Sequence, residues 1–587
     1  MILLVSVLFG ALFTIAVAFA GGTLLLRGLG LTFYRDEERF FAFVTGAACL
    51  SLTVFALSAL HLARPWVFLI LGIAIIVVAS RRGARHAIGE RPRGLGRWPR
   101  IGFWLLYTAF AVFYLATALA PESSPDGSGY HLGAVSRYLA HGGFFFTTNM
   151  YASLSNGLEM LFLYAFAFGR HSAAALVHFS FYLALPLGML AFGKRFRFPG
   201  AAATGGLLVF LSPIVGYDGA AAYNDVALAC VLFAVFYLLQ IWDRERTHAL
   251  LIPIGLLAGF AYAIKYTGVL AVPYAAVFVG WKLVRKRTNP LRSLALLSGC
   301  ALLMIAPWMV KNSLMTGNPL APFFNSWFPN PYFHIGSEIQ YRHWMATWGD
   351  LASKWEIPLE VTVGGSRLQG LLGLAFLLAP IALIALRRPM GRHLLLAAAV
   401  FGATYPANIG TRFLIPMLPF LAISMGLALA DWKWAAPLLL AFHACTAWPV
   451  NLKQYCHPDA MRVEKFPHKA ALRIETESSY LSRKLPGYQV ARLLDETVPP
   501  QARILCFSPA PEAYTSRDQL VSYQGALEEN LTDMLRAVVM PYWHPTKRYS
   551  FRFAQQSLRR IRVVQEGTAS NPDEFWTVNE FRVRYKH

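Results

Sequence analysis

The sequence predicts an all-α polytopic membrane protein that carries a small α/β domain at its C-terminal end. Three observations support this. First, 56% of the 587 residues are hydrophobic and only 14% are charged, whereas a soluble globular protein carries roughly 25% charged residues. Second, the apolar residues come in blocks of about 17 to 25 separated by short basic or polar stretches, the length a helix needs to cross roughly 30 Å of hydrocarbon. Inside a bilayer the backbone polar groups must be paired within each segment, so these blocks read as helices rather than sheet. Third, the pattern stops after about residue 450, and alternating, strand-like runs replace it.

In chain order the apolar blocks are 3–26, 40–60, 65–80, 101–120, 172–193, 199–216, 226–242, 249–264, 267–281, 291–310, 369–386, 393–409, 412–430 and 433–449, about fourteen crossings. The first lacks a basic leader and reads as a retained helix rather than a cleaved signal. Residues 157–169 are short for a span, so they are expected to be re-entrant or to act as one unit with their neighbour. Three parts follow: 1–100, N-terminal transmembrane helices and a basic cytoplasmic loop; 101–450, the main membrane domain; 451–587, an extracytoplasmic α/β domain. In the last part, 502–507, 561–564 and 575–585 read as strands and 528–539 as a helix.

The net charge of +22 is a matter of topology. Arg81, Arg82, Arg85, Arg91, Arg93, Arg97 and Arg100 crowd one loop with Glu90 the only acid among them, and further clusters stand at Lys194/Arg195/Arg197, Arg244/Arg246, Lys282/Arg285/Lys286/Arg287 and Arg387/Arg388/Arg392. Each abuts an apolar block, as cytoplasmic loops do under the positive-inside rule. Nucleic-acid binding is excluded, because these loops lack the exposed aromatic residues of a binding groove. The six cysteines form no metal or redox motif; Cys49, Cys230, Cys300 and Cys445 lie in apolar blocks, and Cys456 and Cys506 are expected to be free thiols or, in an oxidising compartment, a pair.

With the basic loops inside, four regions face outward: 121–156, 217–225, 311–367 and everything after about 450. Phe144, Phe145, Phe146, Tyr151, Trp327, Phe328, Tyr332, Phe333, Trp344, Trp348 and Trp355 suit helices lying at the headgroup level. Ionisable groups beside a membrane are costly and are kept for function. Residues 125–132 read Pro-Asp-Gly-Ser-Gly-Tyr-His-Leu, which puts Asp126 on a turn just beyond a helix end, with Tyr130 and His131 opening a helix; helix capping is the alternative role for this aspartate. The loop at 217–225, Tyr-Asp-Gly-Ala-Ala-Ala-Tyr-Asn-Asp, supplies Asp218, Asn224 and Asp225. On the same side stand Lys265 at the end of a span, Lys311 and Asn312 after the 291–310 block, and Arg412 opening the next-to-last helix, with snorkelling as their alternative. Acids able to deprotonate a hydroxyl beside cations able to hold a phosphate suggest a transfer with a phosphate leaving group.

These motifs resemble the GT-C glycosyltransferases, multi-span enzymes that include protein O-mannosyltransferases, aminoarabinose transferases and oligosaccharyltransferase catalytic subunits. The resemblance is carried by Asp126 with Tyr130, His131 and Leu132; by Asn224 and Asp225; by Gly-Phe-Ala-Tyr-Ala-Ile-Lys-Tyr-Thr at 259–267; by Lys-Asn-Ser-Leu-Met-Thr-Gly-Asn-Pro-Leu-Ala-Pro at 311–322; and by Thr-Arg-Phe-Leu-Ile-Pro-Met-Leu-Pro at 411–419. It implies a GT-C-like catalytic membrane domain over 101–450 and an inverting glycosyltransferase of the inner membrane. Such an enzyme moves a sugar from a polyprenyl-phosphate-linked donor to a lipid, polysaccharide or protein acceptor on the extracytoplasmic face. Asp126 and Asp225 map onto the catalytic acids, Lys265, Arg412 and Lys311 onto the donor phosphate, and Tyr130, His131, Asp218, Asn224 and Asn312 onto supporting positions. Many members have a second acid directly after the first, where this chain has Gly127. The sequence fixes no cofactor; a divalent cation, magnesium or manganese, would take Asp126 and Asp225 as ligands, with Asp218 or His131 beside them. A lipid or polysaccharide transporter or flippase would instead show midplane charges and internal repeats, and a non-enzymatic scaffold no convergence of acids.

Overall fold

A computed structural model describes residues 2–81 and 94–543. The expected strands at 561–564 and 575–585, and Arg82, Arg85, Arg91 and Arg93, lie outside the described residues. Among those described the chain is an all-α membrane body with one two-stranded sheet. Among the described residues eight helices are long and apolar enough to cross a membrane, or nine if Pro199–Phe210 and Pro213–Ala220, bent by 68°, make one span. Four more, Pro65–Arg81, His248–Ile264, Leu374–Arg387 and Ala435–Ala447, are apolar but shorter. The apolar blocks thus correspond to helices, while a hydropathy pattern alone counts short and full-length crossings alike.

Helices in lipid gain no hydrophobic energy from meeting one another, so close packing must come from small residues. Gly22 of the Ile2–Gly28 helix lies against the Ala42 backbone, and Gly46 of Arg35–Ala59 against that of Ala18; a side chain at either would collide. Residues 157–169 join their neighbour in the 40-residue Gly157–Phe196 segment, which breaks at Arg170 (φ 57°, ψ −150°). At 1.5 Å per residue the segment is about 60 Å long, twice a hydrocarbon core.

The Asp225–Glu245 helix is buried along its whole membrane window. At its C-terminal end three of the five basic clusters meet: Arg195 contacts Glu37 at 2.7 Å and also Glu245, Lys194 contacts Asp36 at 2.6 Å, and Lys282 and Arg246 share Asp243 at 2.5 Å each. At its N-terminal end the four regions read as outward-facing are tied together. Glu122 Oε2 accepts from the Ala222 amide at 2.7 Å, Asn312 Nδ2 donates to Ser153 O at 2.7 Å, Thr148 Oγ1 donates to Glu528 at 2.5 Å, and Ser337 Oγ donates to Glu529 at 2.6 Å.

Beyond residue 450, β1 (Arg503–Cys506) pairs in parallel with β2 (Asp518–Val521). β1 matches the expected strand and the Ala526–Trp543 helix covers the expected one; β2 has no clear alternation in the sequence. The crossover between the two strands carries the short turn Glu512–Tyr514, which packs on residues 127–141. Cys456 and Cys506 are both free. The aromatic residues expected at the headgroups divide: Phe144 and Phe333 are buried, while Trp327, Trp344 and Trp355 are exposed, Trp355 by 90%.

Candidate functional site

Asp126 lies in the first turn of a helical segment (φ −74°, ψ −36°), not on a turn beyond a helix end. Pro125 before it presets a helical φ at a position where its missing N–H costs nothing. Gly129, at ψ −117°, then breaks the helix and the turn widens to π geometry over Gly127–His131 before Leu132–His141 resumes, a distortion common at functional sites. Asp126 Oδ2 contacts Arg412 Nη2 at 2.6 Å and accepts from the Tyr130 hydroxyl at 3.2 Å. The Asp126 and Arg412 side chains are 24% and 19% exposed, so the pair stands at the edge of solvent. Burial pushes the Asp126 carboxyl up, but the Arg412 guanidinium, His131 and the hydrogen bonds from Arg412 and Tyr130 outweigh it and hold the group below its ordinary value. Burial and the neighbouring carboxylate keep the Tyr130 phenol protonated, as a donor.

Asp225, first residue of the central helix, meets Lys265 Nζ at 2.5 Å. Lys265 follows the Leu251–Ile264 helix, whose last carbonyl, Ile264 O, accepts from Asn224 Nδ2 at 3.3 Å. The two ion pairs share one ring: Phe413 lies 5.1 Å from Arg412 Cζ and 4.7 Å from Lys265 Nζ, and Arg412 also stacks over Tyr223 at 5.0 Å. Beside them opens a narrow cleft lined by Asp225, Lys265, Thr267, Thr404, Asn408 and Phe413 together with Leu228, Leu232, Phe401 and Pro416.

The remaining predicted residues have other partners. Asp218 caps the central helix, accepting from the Val226 amide at 3.0 Å, and its Oδ2 is buried without a partner. His178 Nε2 is 3.7 Å from Asp218 but accepts from the Ala227 amide, while Nδ1 faces Ala221 O at 2.9 Å; the contact is therefore no ion pair. His131 Nδ1 lies 2.5 Å from Glu159, both buried, which turns the imidazole away from a direct contact with Asp126. Lys311 and Asn312 do not follow a helix but sit within Leu291–Thr316. Lys311 donates to Ala152 O at 2.6 Å and packs on Phe144 and Trp308, apart from the two acid–cation pairs, and Asn312 knits Ser153 to Ala321.

Several residues at this site escaped the sequence reading. Glu122 is buried and accepts from the Ser124 and Ala222 amides, 2.7 Å each, fixing the Asp126 loop to the Asp225 loop. Burial raises its carboxyl despite those bonds. Glu159, an acid in an apolar block, carried a usable signal. Tyr223 and Phe413 stand inside the quoted 217–225 and 411–419 runs without a role having been read for them, and Glu512 carried no signal, since only the fold packs its turn on residues 127–141.

A divalent cation does not fit this donor set. Asp126 and Asp225 are each already matched by a cation, and among the described residues no group of three His, Cys, Asp or Glu side chains could hold a metal ion.

Fold and site together define a polytopic helical membrane protein with paired acids and cations at one end. Residues 2–347 match the family described as "Domain of unknown function (DUF8201)", and the chain belongs to that family. No curated protein matches the sequence. Among solved structures, the chain is similar to ArnT from Cupriavidus metallidurans bound to undecaprenyl phosphate: 14% identity, 71% of this chain and 86% of that one, TM-score 0.44. It is similar to ArnT in the apo state: 15%, 72% and 86%, TM-score 0.46. It is also similar to archaeal oligosaccharyltransferase AglB from Archaeoglobus fulgidus in complex with an inhibitory peptide and a dolichol-phosphate: 12%, 69% and 59%, TM-score 0.37.

Proposed function

We propose that the protein is an inverting glycosyltransferase that takes a sugar from a polyprenyl-phosphate-linked donor at the extracytoplasmic face of a cytoplasmic membrane. The observation that carries this reading is the pair of ion pairs, Asp126–Arg412 and Asp225–Lys265, joined through Phe413, which together with Asp225 and Lys265 lines a narrow cleft that also includes the apolar Leu228, Leu232, Phe401 and Pro416. A lipid phosphate needs both features, positive charge for its head and an apolar wall for the first isoprene units. Cations on a leaving phosphate stabilise charge that develops in the transition state. Asp126 takes the proton of the acceptor hydroxyl, the acceptor oxygen bonds to the anomeric carbon from the face opposite the phosphate, and the carbon–oxygen bond to phosphate breaks with its electron pair leaving on the phosphate. Arg412 and Lys265 then hold the product. In the free protein Arg412 is spent on Asp126, so an arriving phosphate shares the guanidinium and loosens that carboxylate for its role as base.

The test is binding of undecaprenyl phosphate to the full-length protein in nanodiscs, with Arg412→Ala and Lys265→Ala alongside. Saturable binding that weakens in both variants supports the reading; binding that neither variant changes removes both cations from the donor site.

A further inference from the structure

The strained residue of the long Gly157–Phe196 segment is Arg170. Its φ of 57° and ψ of −150° belong to a region that residues with a side chain rarely enter, and such strain persists only where the surroundings fix it. The two residues that follow are tied to the C-terminal segment. His171 Nε2 donates to Ala513 O at 2.9 Å, and its ring stacks on Tyr514 with centroids 4.3 Å apart. Ser172 Oγ accepts from Arg473 Nη2 at 2.8 Å and donates to Ala120 O at 2.9 Å. The crossover between β1 and β2 also sits hard against the Leu132–His141 helix: a methyl group at Gly133 would stand 2.6 Å from Glu512 Cβ, closer than real side chains come.

Tyr514 carries this contact one step further. Burial keeps its phenol protonated, as a donor, and the hydroxyl donates to the main-chain carbonyl of Glu122 at 2.7 Å. Glu122 is itself the tie between the two acid-bearing loops, through the Ser124 and Ala222 amides. Ser124 opens the turn that carries Asp126: its carbonyl accepts from the Ser128 amide at 2.9 Å and from the Ser128 hydroxyl at 2.7 Å. Residues 121–124 belong to no helix or strand, so side-chain hydrogen bonds, and not a ladder, must order their backbone. A path of buried and half-buried hydrogen bonds thus runs from the crossover to the start of the Asp126 turn.

We propose that Tyr514 is a positioning residue for the transfer site: through Glu122 it holds the Asp126 turn against the Asp225 loop, so that Asp126 keeps its place on Arg412 only while the C-terminal segment is docked. The clamp stands on these contacts alone, and its effect on the donor rests on the glycosyl-transfer reading above. Loss of the Tyr514 hydroxyl loosens Asp126, and a looser carboxylate competes less with an arriving phosphate for the guanidinium.

The experiment uses the full-length protein in nanodiscs as wild type, Tyr514→Phe, Asp126→Asn and the double variant. Tyr514→Phe keeps the stack on His171 and loses only the hydroxyl. Tyr488→Phe is the control, since Tyr488 packs edge-on against Tyr514 and its hydroxyl holds no main-chain carbonyl among the described residues. Hydrogen exchange at the Ser124 and Ala222 amides should quicken about fivefold in Tyr514→Phe, the size of one neutral hydrogen bond, and stay unchanged in Tyr488→Phe. Undecaprenyl phosphate should bind about twofold tighter to Tyr514→Phe than to wild type, a part of that increment. It should bind no tighter to the double variant than to Asp126→Asn, because the competing carboxylate is already gone. Unchanged exchange at Ser124 and Ala222, even with faster exchange elsewhere in the C-terminal segment, overturns the clamp. Lipid affinity that Tyr514→Phe leaves unchanged, or alters equally with and without the Asp126 carboxylate, overturns action through Asp126. Failure of the wild type to bind undecaprenyl phosphate refutes the donor reading instead, and the exchange result then decides the clamp.

Discussion

Replacing Asp126 by Asn should have two opposite effects, and their combination is what makes the variant informative. The amide keeps the shape and can still accept from Tyr130, but it removes the charge facing Arg412 at 2.6 Å. Loss of a positioned base should cut transfer by roughly 10²-fold to 10⁴-fold. At the same time the carboxylate no longer competes with phosphate for the guanidinium. A charge-assisted hydrogen bond contributes about 1.5 to 3 kcal/mol, and because both side chains are about a fifth to a quarter exposed, solvent screening reduces this to about 1 kcal/mol. That corresponds to about fivefold tighter binding of undecaprenyl phosphate. The assay is a titration of the lipid into wild-type and variant protein in nanodiscs, beside a transfer assay at equal expression. Transfer at near wild-type rate would sink the base assignment. Binding that is unchanged or weaker, with the fold intact, would refute the exchange of carboxylate for phosphate on Arg412.

Asp225→Asn should also tighten lipid binding through Lys265 but lower transfer less than Asp126→Asn, and equal loss of transfer in the two variants would argue for one shared role. Glu122→Gln keeps one acceptor oxygen but turns an NH₂ towards one of two backbone donors, so we expect destabilisation of about 1 to 3 kcal/mol and a displaced Asp126, read by thermal unfolding and by transfer rate; unchanged values would mean that Glu122 does not fix the loop. The Asp126 carboxyl is held below its ordinary value in the folded protein, so the stabilisation from its pairing is fully present above the unfolded value and is lost as pH falls through the depressed folded value. The acid limb of kcat/KM, which reports the free enzyme, should therefore lie below about pH 4, and a limb near neutrality would point to another base. For sidedness, cysteines introduced at the exposed positions Asp350 and Glu496, with Cys445 replaced, should react with an impermeant reagent added outside intact cells, and one at Lys286 should not; the reverse pattern inverts the topology.

The sequence by itself determined the solvent of this protein and the residues worth suspecting. Apolar blocks of spanning length require helices because a bilayer offers no partner for an open backbone, and basic loops sort to one side because their charge resists transfer; both rules act along the chain and need no knowledge of tertiary contacts. That is why the convergence of Arg195, Arg246 and Lys282 at one end, and of the 121–156 and 217–225 loops at the other, was legible, and why Asp126, Asp225, Lys265 and Arg412 could be named in advance. Pairing was not legible, because it depends on which helix ends meet. The sequence could set acids against cations, but only packing decided that Arg412 belongs to Asp126 and Lys265 to Asp225, that Phe413 lies between them, and that Lys311 turns instead to Ala152 O. Hydropathy likewise could not tell a full crossing from a short or broken one, since the bend after Phe210 changes geometry without changing apolarity. Furthest from the sequence was Glu512, 386 positions along the chain from Asp126 by residue number: a carboxylate in a short crossover has no local signature, and only the docking of the C-terminal segment against Gly133 places it beside Tyr130.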